Sequence, residues 1–348
     1  MRKEVLWAII AGIVLGLIIA FGVYRINSSI SGKKNNNTSL STPTPKPTNL
    51  GEFKIVLDKP SDNDVVTQNT VTVSGLTKAL SWITISGEDG DYIIQSDGSG
   101  VFSQDVSLVP GINQIRVTAF ESAGAKSATG VLVIYSSSFQ TRTLPTDSPS
   151  TGSPSSEASK TSDIRAKVAQ DVANTMSQPK AYIGTVTDIT DSTVEIKTAA
   201  SEIKQISANV ESTNVVNSTG TTSKTVKTTD IAIGDFIVAM GYVDGNSVLI
   251  AQRILITNPV TDPKITVNYA KVVSVTKKAL SVKTIPDSTD DSVQPNSKTS
   301  TEAYQDGKIV TSKFASIGAE EIIIYVKTAD DKGASSVRSI FRLTNPQG

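Results

Sequence analysis

"DGSGVFSQDVSLVPGINQIRVTAF", residues 97–120, alternates in character with a period of two. Ile112, Gln114 and Arg116 fall on one face, and Asn113, Ile115 and Val117 on the other. That period belongs to a half-buried β-strand, and the Gly/Pro/Asp/Asn clusters that bracket it are turn chemistry. Working outward over 52–136, the runs "FKIVL", "VVTQNTVTVSG", "SWITISG", "DYIIQS" and "GVLVIY" repeat the pattern. Some seven short strands in about 85 residues predict a β-sandwich.

The stretches "VVTQNTVTVSGLT" and "DGSGVFSQDVSLVPGINQIRVTAFESAG" resemble the bacterial immunoglobulin-like domain found in glucodextranase and many surface proteins. The best-matching parts are the strand ending in Ser74-Gly75, the hairpin from Asp97 to Phe102, and the turn running from Leu108 through Gly111 to Asn113. These are structural signatures, because glycine supplies positive φ and Asn or Asp bonds its own backbone at a corner. The resemblance implies a sandwich and carries no catalytic residue.

The C-terminal half repeats itself. "IGTVTDITDSTVEIKT" from Ile183 matches "YAKVVSVTKKALSVKT" from Tyr269, an offset of 86 that sets Val186, Ile189, Val194 and Ile196 on Val272, Val275, Leu280 and Val282. Further on, Ile233-Gly234 is expected to answer Ile317-Gly318, and Ile254 and Ile256 to answer Phe341 and Leu343. Two tandem β domains are predicted, 181–258 and 264–345. Through "GTVTDITDSTVEIKT", "IAIGDFIVAMGYVDGN" and "LIAQRILI" the first resembles a small β-barrel domain of unknown function common in exported bacterial proteins. The second is expected to depart from it, with Gly318-Ala319-Glu320-Glu321 in place of "GD" and a polar insertion "PDSTDDSVQPNSKTSTEAYQDGK".

Val5 to Tyr24 holds twenty residues without a charge. At about 1.5 Å per residue, such a segment spans a hydrocarbon core of roughly 30 Å. Trp7 and Tyr24 stand at its ends and Arg2, Lys3 and Arg25 just outside, in positions that suit interface anchors. The expected order is a cytoplasmic tail (1–4), a transmembrane helix (5–24) and a Ser/Thr/Asn/Pro spacer (25–51). The sandwich (52–136) then leads to a Ser/Thr/Pro-rich linker (137–180) with a short helix at 163–176, and the two barrel-like repeats follow. The protein reads as mainly β, single-pass, N-terminus inside and bulk outside. Secretion after cleavage near Gly22 is the alternative, since Ala20 and Gly22 meet the small-residue rule at such a site. Ala8, Gly12, Gly16 and Ala20 recur every four residues. They either let two such helices pair as a homodimer or simply face lipid.

Lys plus Arg and Asp plus Glu each total 33, so no broad field favours nucleic acid, and none is expected as a partner. With no cysteine and no histidine, disulfides, thiolate zinc sites, nucleophilic thiols and the usual neutral-pH base are excluded. The acidic groups Asp58, Asp62 and Asp64; Glu88, Asp89 and Asp91; and Asp287, Asp290 and Asp291 lack calcium-loop spacing and read as solvated turns. Calcium between the turns at Asp62 or Asp89 is the other reading. Trp82 in "SWITISG" reads as core. No catalytic, cofactor or metal residue is predicted. The expected function is display or adhesion at the membrane, toward cell-wall glycan or a surface protein. An accessory subunit of a polysaccharide or cell-wall enzyme and a scaffold in an envelope assembly are the alternatives.

Overall fold

The computed structural model describes residues 53–140, 178–220, 222–259, 264–305, 308–329 and 333–343. Apart from two short 3-10 turns, every regular element among them is a strand, so the chain is mainly β. No helix among the described residues is long and apolar enough to cross a membrane. The transmembrane helix predicted at 5–24, with Ala8, Gly12, Gly16 and Ala20 and the anchors Trp7, Tyr24, Arg2, Lys3 and Arg25, lies outside the described residues. So do the spacer, residues 141–177 of the linker and the helix expected at 163–176.

Eight strands, one more than expected, build the sandwich. β1 (Val56–Lys59), β3 (Thr70–Leu76) and β6 (Val101–Ser107) form one sheet. The other runs β2 (Asp64–Val66), β8 (Lys126–Tyr135), β7 (Gly111–Phe120), β4 (Trp82–Ser86), β5 (Asp91–Gln95). The run "VVTQNTVTVSG" is two strands in different sheets, because Thr67–Asn69 carries the chain across. Period-two alternation sends Ile115, Val117 and Ala119 of β7 into a core with Val73, Ile83, Ile85, Phe102 and Val106. Burial of each Val, Ile or Phe side chain contributes about 1.5–3 kcal/mol.

The predicted turn chemistry is present. Asp97 Oδ1 accepts from the backbone N–H of Ser99 (2.8 Å) and of Val101 (2.9 Å). Gly100 has φ +85°, and a Cβ there would lie 2.0 Å from the Thr77 carbonyl oxygen. Asn113 is buried; its Oδ1 accepts from Val109 N–H (2.8 Å) and its Nδ2 donates to the Val109 carbonyl (2.8 Å).

The first repeat holds β9 (Lys180–Thr190), β10 (Thr193–Lys197), β11 (Ile203–Ser207), β12 (Asn214–Asn217), β13 (Lys224–Val226), β14 (Phe236–Val243) and β15 (Leu249–Thr257). Pairing runs β9-β10-β11-β15-β14 and back to β9, a closed Greek-key ring in which β11 and β15 are parallel. Val186, Val194, Ile196, Ile206, Leu249 and Ile254 fill it.

The second repeat follows with β16 (Lys264–Val275), β17 (Leu280–Thr284), β18 (Asp290–Val293), β19 (Ser300–Gln305), β20 (Lys308–Thr311), β21 (Ile322–Ala329) and β22 (Ser335–Arg342). Three expectations are corrected by it. The segment read as a polar insertion contains β18 and β19 and runs into the start of β20, the counterparts of β11, β12 and β13. The positive-φ corner Gly234, whose N–H bonds the Val186 carbonyl, is answered by Glu320 (φ 69°) bonding Val272, so Ile317-Gly318 is not the match of Ile233-Gly234. Ile254 pairs Ala239 as Ile340 pairs Tyr325, so Ile254 and Ile256 answer Ile340 and Arg342, not Phe341 and Leu343. A shift of one residue in a strand exchanges its faces. Phe341 and Leu343 accordingly point away from the repeat's interior, into a different cluster.

Among the described residues β18 pairs β17 alone, so the second ring stays open there. Its interior holds Tyr325 where the first repeat has Ala239. Lys327 Nζ reaches from β21 to Asp291 on β18 (2.6 Å), and the Tyr325 hydroxyl donates to the same carboxylate (2.7 Å). Side chains there do what a backbone ladder does between β11 and β15.

Candidate functional site

The outward face of the sheet β2-β8-β7-β4-β5 is where the three parts meet. At one end Val65, Ile112 and Ile134 pack with Phe139 against Ala181, Ile183, Val238, Met240 and Tyr242 of the first repeat. At the other, Trp82, Ile93 and Phe120 pack against Ile265, Val267, Tyr269, Ile324 and Phe341 of the second. Trp82 is therefore not in the sandwich core as expected. It lies half-buried on the opposite face, edge-on to Tyr304 with ring centroids 4.7 Å apart.

Polar contacts fix both junctions. Lys180 Nζ donates to Asp64 Oδ1 (2.6 Å), and the N–H of Ala181 donates to the Asn63 carbonyl (2.8 Å). On the other side Lys126 Nζ donates to the Val267 carbonyl (2.7 Å), Ser339 Oγ to Asp91 Oδ2 (2.6 Å), and Arg338 Nη2 to the Gly87 carbonyl (2.8 Å). Gly124, with φ +92°, lies so close to Ile285-Pro286 that a Cβ would stand 2.5 Å from Ile285 Cγ2. Burial and the nearby Asp91 carboxylate push the Glu302 carboxyl above its ordinary value.

Between the two junctions a strip of the sheet carries neither repeat. Gln114 and Arg116 of β7 and Gly130 and Leu132 of β8 floor it, and Asp62 borders it. Two cavities meet there, sharing Asp62, Gln114 and Leu132: one of about 560 Å³ toward the first repeat and one of about 230 Å³ reaching Ile265 of the second. The larger is walled by Tyr182, Thr198, Glu202, Lys204 and Phe236. Lys204 pairs with Glu202 at 2.9 Å and lies 5.9 Å from the Tyr182 ring centroid. The Tyr182 hydroxyl donates to the Ser247 carbonyl (2.9 Å). Burial raises its pKa, outweighing the opposing Lys204, with a smaller contribution from Asp244 in the same direction, so the hydroxyl stays neutral.

The acidic groups singled out in the sequence are dispersed. Asp62 accepts from Leu132 N–H (2.8 Å) and Asn63 Nδ2 (3.0 Å), Asp64 holds Lys180, Asp91 turns inward to Ser339, and Asp291 serves Tyr325 and Lys327. Among the described residues no group of three or more acidic side chains could hold a metal ion. The sequence reading missed the groove residues Gln114, Arg116, Gly130, Tyr182 and Lys204. The signal that could have found the floor is Gly130, which opens the run "GVLVIY" but continues an alternating stretch from Lys126, beside the polar face of β7.

Residues 54–136 match the family model of glucodextranase, domain B, which covers the sandwich and leaves both repeats outside. No curated protein matches the chain. Solved structures with partial similarity include a multidomain protein with nucleic acid binding domains from Streptococcus pneumoniae, at TM-score 0.13 and 14% identity over 48% of this chain and 46% of that one. Another is a tetra-tandem repeat from the extending region of a large adhesion protein (TM-score 0.20, 11% identity, 83% and 72% covered). A third is the Bacteroides ovatus protein SGBP-B of a mixed-linkage glucan utilization locus, in complex with a heptasaccharide (TM-score 0.19, 12% identity, 90% and 71% covered). This chain spans less than half the length of the first of these. Scores at this level carry no argument about ligand.

Proposed function

We propose that this protein is a membrane-anchored, extracytoplasmic binding protein without catalytic activity, whose sandwich and two β repeats form the head and whose apolar segment 5–24 is the anchor. One observation carries the reading. Both repeats bury apolar surface against a single sheet face and leave between them a groove of mixed apolar and polar lining, an arrangement that makes a contact surface. Nothing in the groove is arranged as a nucleophile and base, and its carboxylates are engaged in structural bonds: Asp62 with a backbone N–H, Glu202 with Lys204.

A second reading has its own support, since the sandwich matches a domain of glucodextranase. As an accessory part of a polysaccharide enzyme, the head would bind in the same groove and differ only in its company. Intact cells expressing the full chain distinguish anchor from export. Protease added outside should digest the head while an N-terminal tag stays protected, and Edman sequencing should find the original N-terminus. A mature protein starting after Gly22 in the medium would reject the anchor.

A further inference from the structure

We propose that the groove over β7 and β8 takes a short stretch of an uncharged, hydroxyl-rich polysaccharide. This rests on the reading of the head as a contact surface and names its ligand class. Three observations select the chemistry. First, the charged groups around the groove balance, Asp62 and Glu202 against Arg116 and Lys204, so no field gathers a polyanion or a polycation. Second, the floor is the middle of a sheet: β7 pairs with β4 and β8, and β8 with β2 and β7. A peptide that binds by adding a strand needs a free strand edge, and the floor offers none. Third, the side chains present suit sugar. The Gln114 amide can bond hydroxyls edge-on, and Leu132, Ile112 and Tyr182 can lie under C–H faces.

Gly130 adds an independent pointer. It lies exposed in the interior of a ten-residue strand, where glycine weakens the sheet. Its φ is not positive, and a Cβ would meet only the Ile115 carbonyl oxygen at 3.5 Å, an ordinary contact. Neither backbone geometry nor packing within the chain demands glycine there. What its missing side chain provides is room on the groove floor.

The experiment uses the full chain in detergent micelles, titrated by calorimetry with dextran, laminarin, cellohexaose, mannohexaose and chitohexaose, and with polygalacturonate as the charged comparison. Wild type should bind at least one neutral probe and not polygalacturonate. Gly130→Trp should weaken that binding by about tenfold or more, and Gln114→Ala by several-fold, at unchanged thermal midpoint. Gly130→Ala controls for folding and should keep most of the affinity. No binding to any neutral probe, or binding that Gly130→Trp leaves intact, overturns the proposal. A photo-crosslinker at Gln114 in intact cells separates this from failure of the contact reading. Capture of a protein overturns the glycan and leaves a contact surface, while no adduct together with no glycan binding rejects both.

Discussion

Asp291 shows how one side chain binds a strand that has lost its ladder. Burial alone would raise its pKa, but hydrogen bonds from Lys327, Tyr325 and the Ser292 backbone outweigh it and hold the carboxyl below its ordinary value. A carboxyl depressed in the folded state contributes stability above its unfolded pKa, and that contribution is lost as pH falls through the folded value. Asp291→Asn should therefore flatten the acid limb of a stability-against-pH curve below about pH 4, measured by urea unfolding. An unchanged acid limb would show the cluster to be energetically idle. Tyr325 is raised by burial and by Asp291, so it remains a neutral donor throughout. At this scale the sequence was readable wherever the physics is local. Asp97, Gly100, Gly111 and Asn113 announce turns because they bond or bend their own backbone. Trp82 was not, because an apolar ring in a strand looks the same whether its face meets the sandwich core or a neighbouring repeat.

The two repeats share one strand order, and their difference lies in closure. In the first, Ile206 and Ser207 of β11 pair with Leu249 and Ile250, and the ring closes. In the second, β18 has a free edge, with Tyr325 occupying the interior and Lys327 latching across. Unpaired edges exchange through small openings, whereas closed rings open cooperatively. Hydrogen exchange on the full chain should find the amides of 290–293 exchanging faster than those of 203–207. Equal protection would mean that the second ring closes in solution. Strand periodicity and the offset of 86 were legible in Ile183–Thr198 against Tyr269–Thr284, where both copies keep apolar residues in step. They were misread toward the C-terminus, where Ile254 and Ile256 were set against Phe341 and Leu343. Both faces of β22 are apolar, one for its own interior and one for the sandwich, so alternation gives no register there.

For the whole molecule, the groove exists because both repeats are held at fixed places on one sheet. Gly124 is the tightest point of the second junction, where a side chain would collide with Ile285-Pro286 and strain a φ of +92°. Gly124→Val should loosen that junction, giving new protease sensitivity between residues 258 and 290 and weaker protection of β16. The sandwich core, which Gly124 does not touch, should keep its protection in the same experiment. A variant as resistant as wild type would show the junction to tolerate the added bulk. By itself the sequence determined the β class, the sandwich at 52–136, the existence of two related β units, the absence of thiol and imidazole chemistry, and an apolar segment long enough to anchor the chain. Those properties follow from period, composition and turn chemistry, which act within a few residues. The tertiary structure alone decided which faces are covered, that the second ring stays open, and that Gln114, Arg116 and Gly130 line a groove. Each of those depends on contacts between residues far apart in the chain, as between Phe120 and Tyr269 or Asp64 and Lys180, and no local pattern encodes such distances.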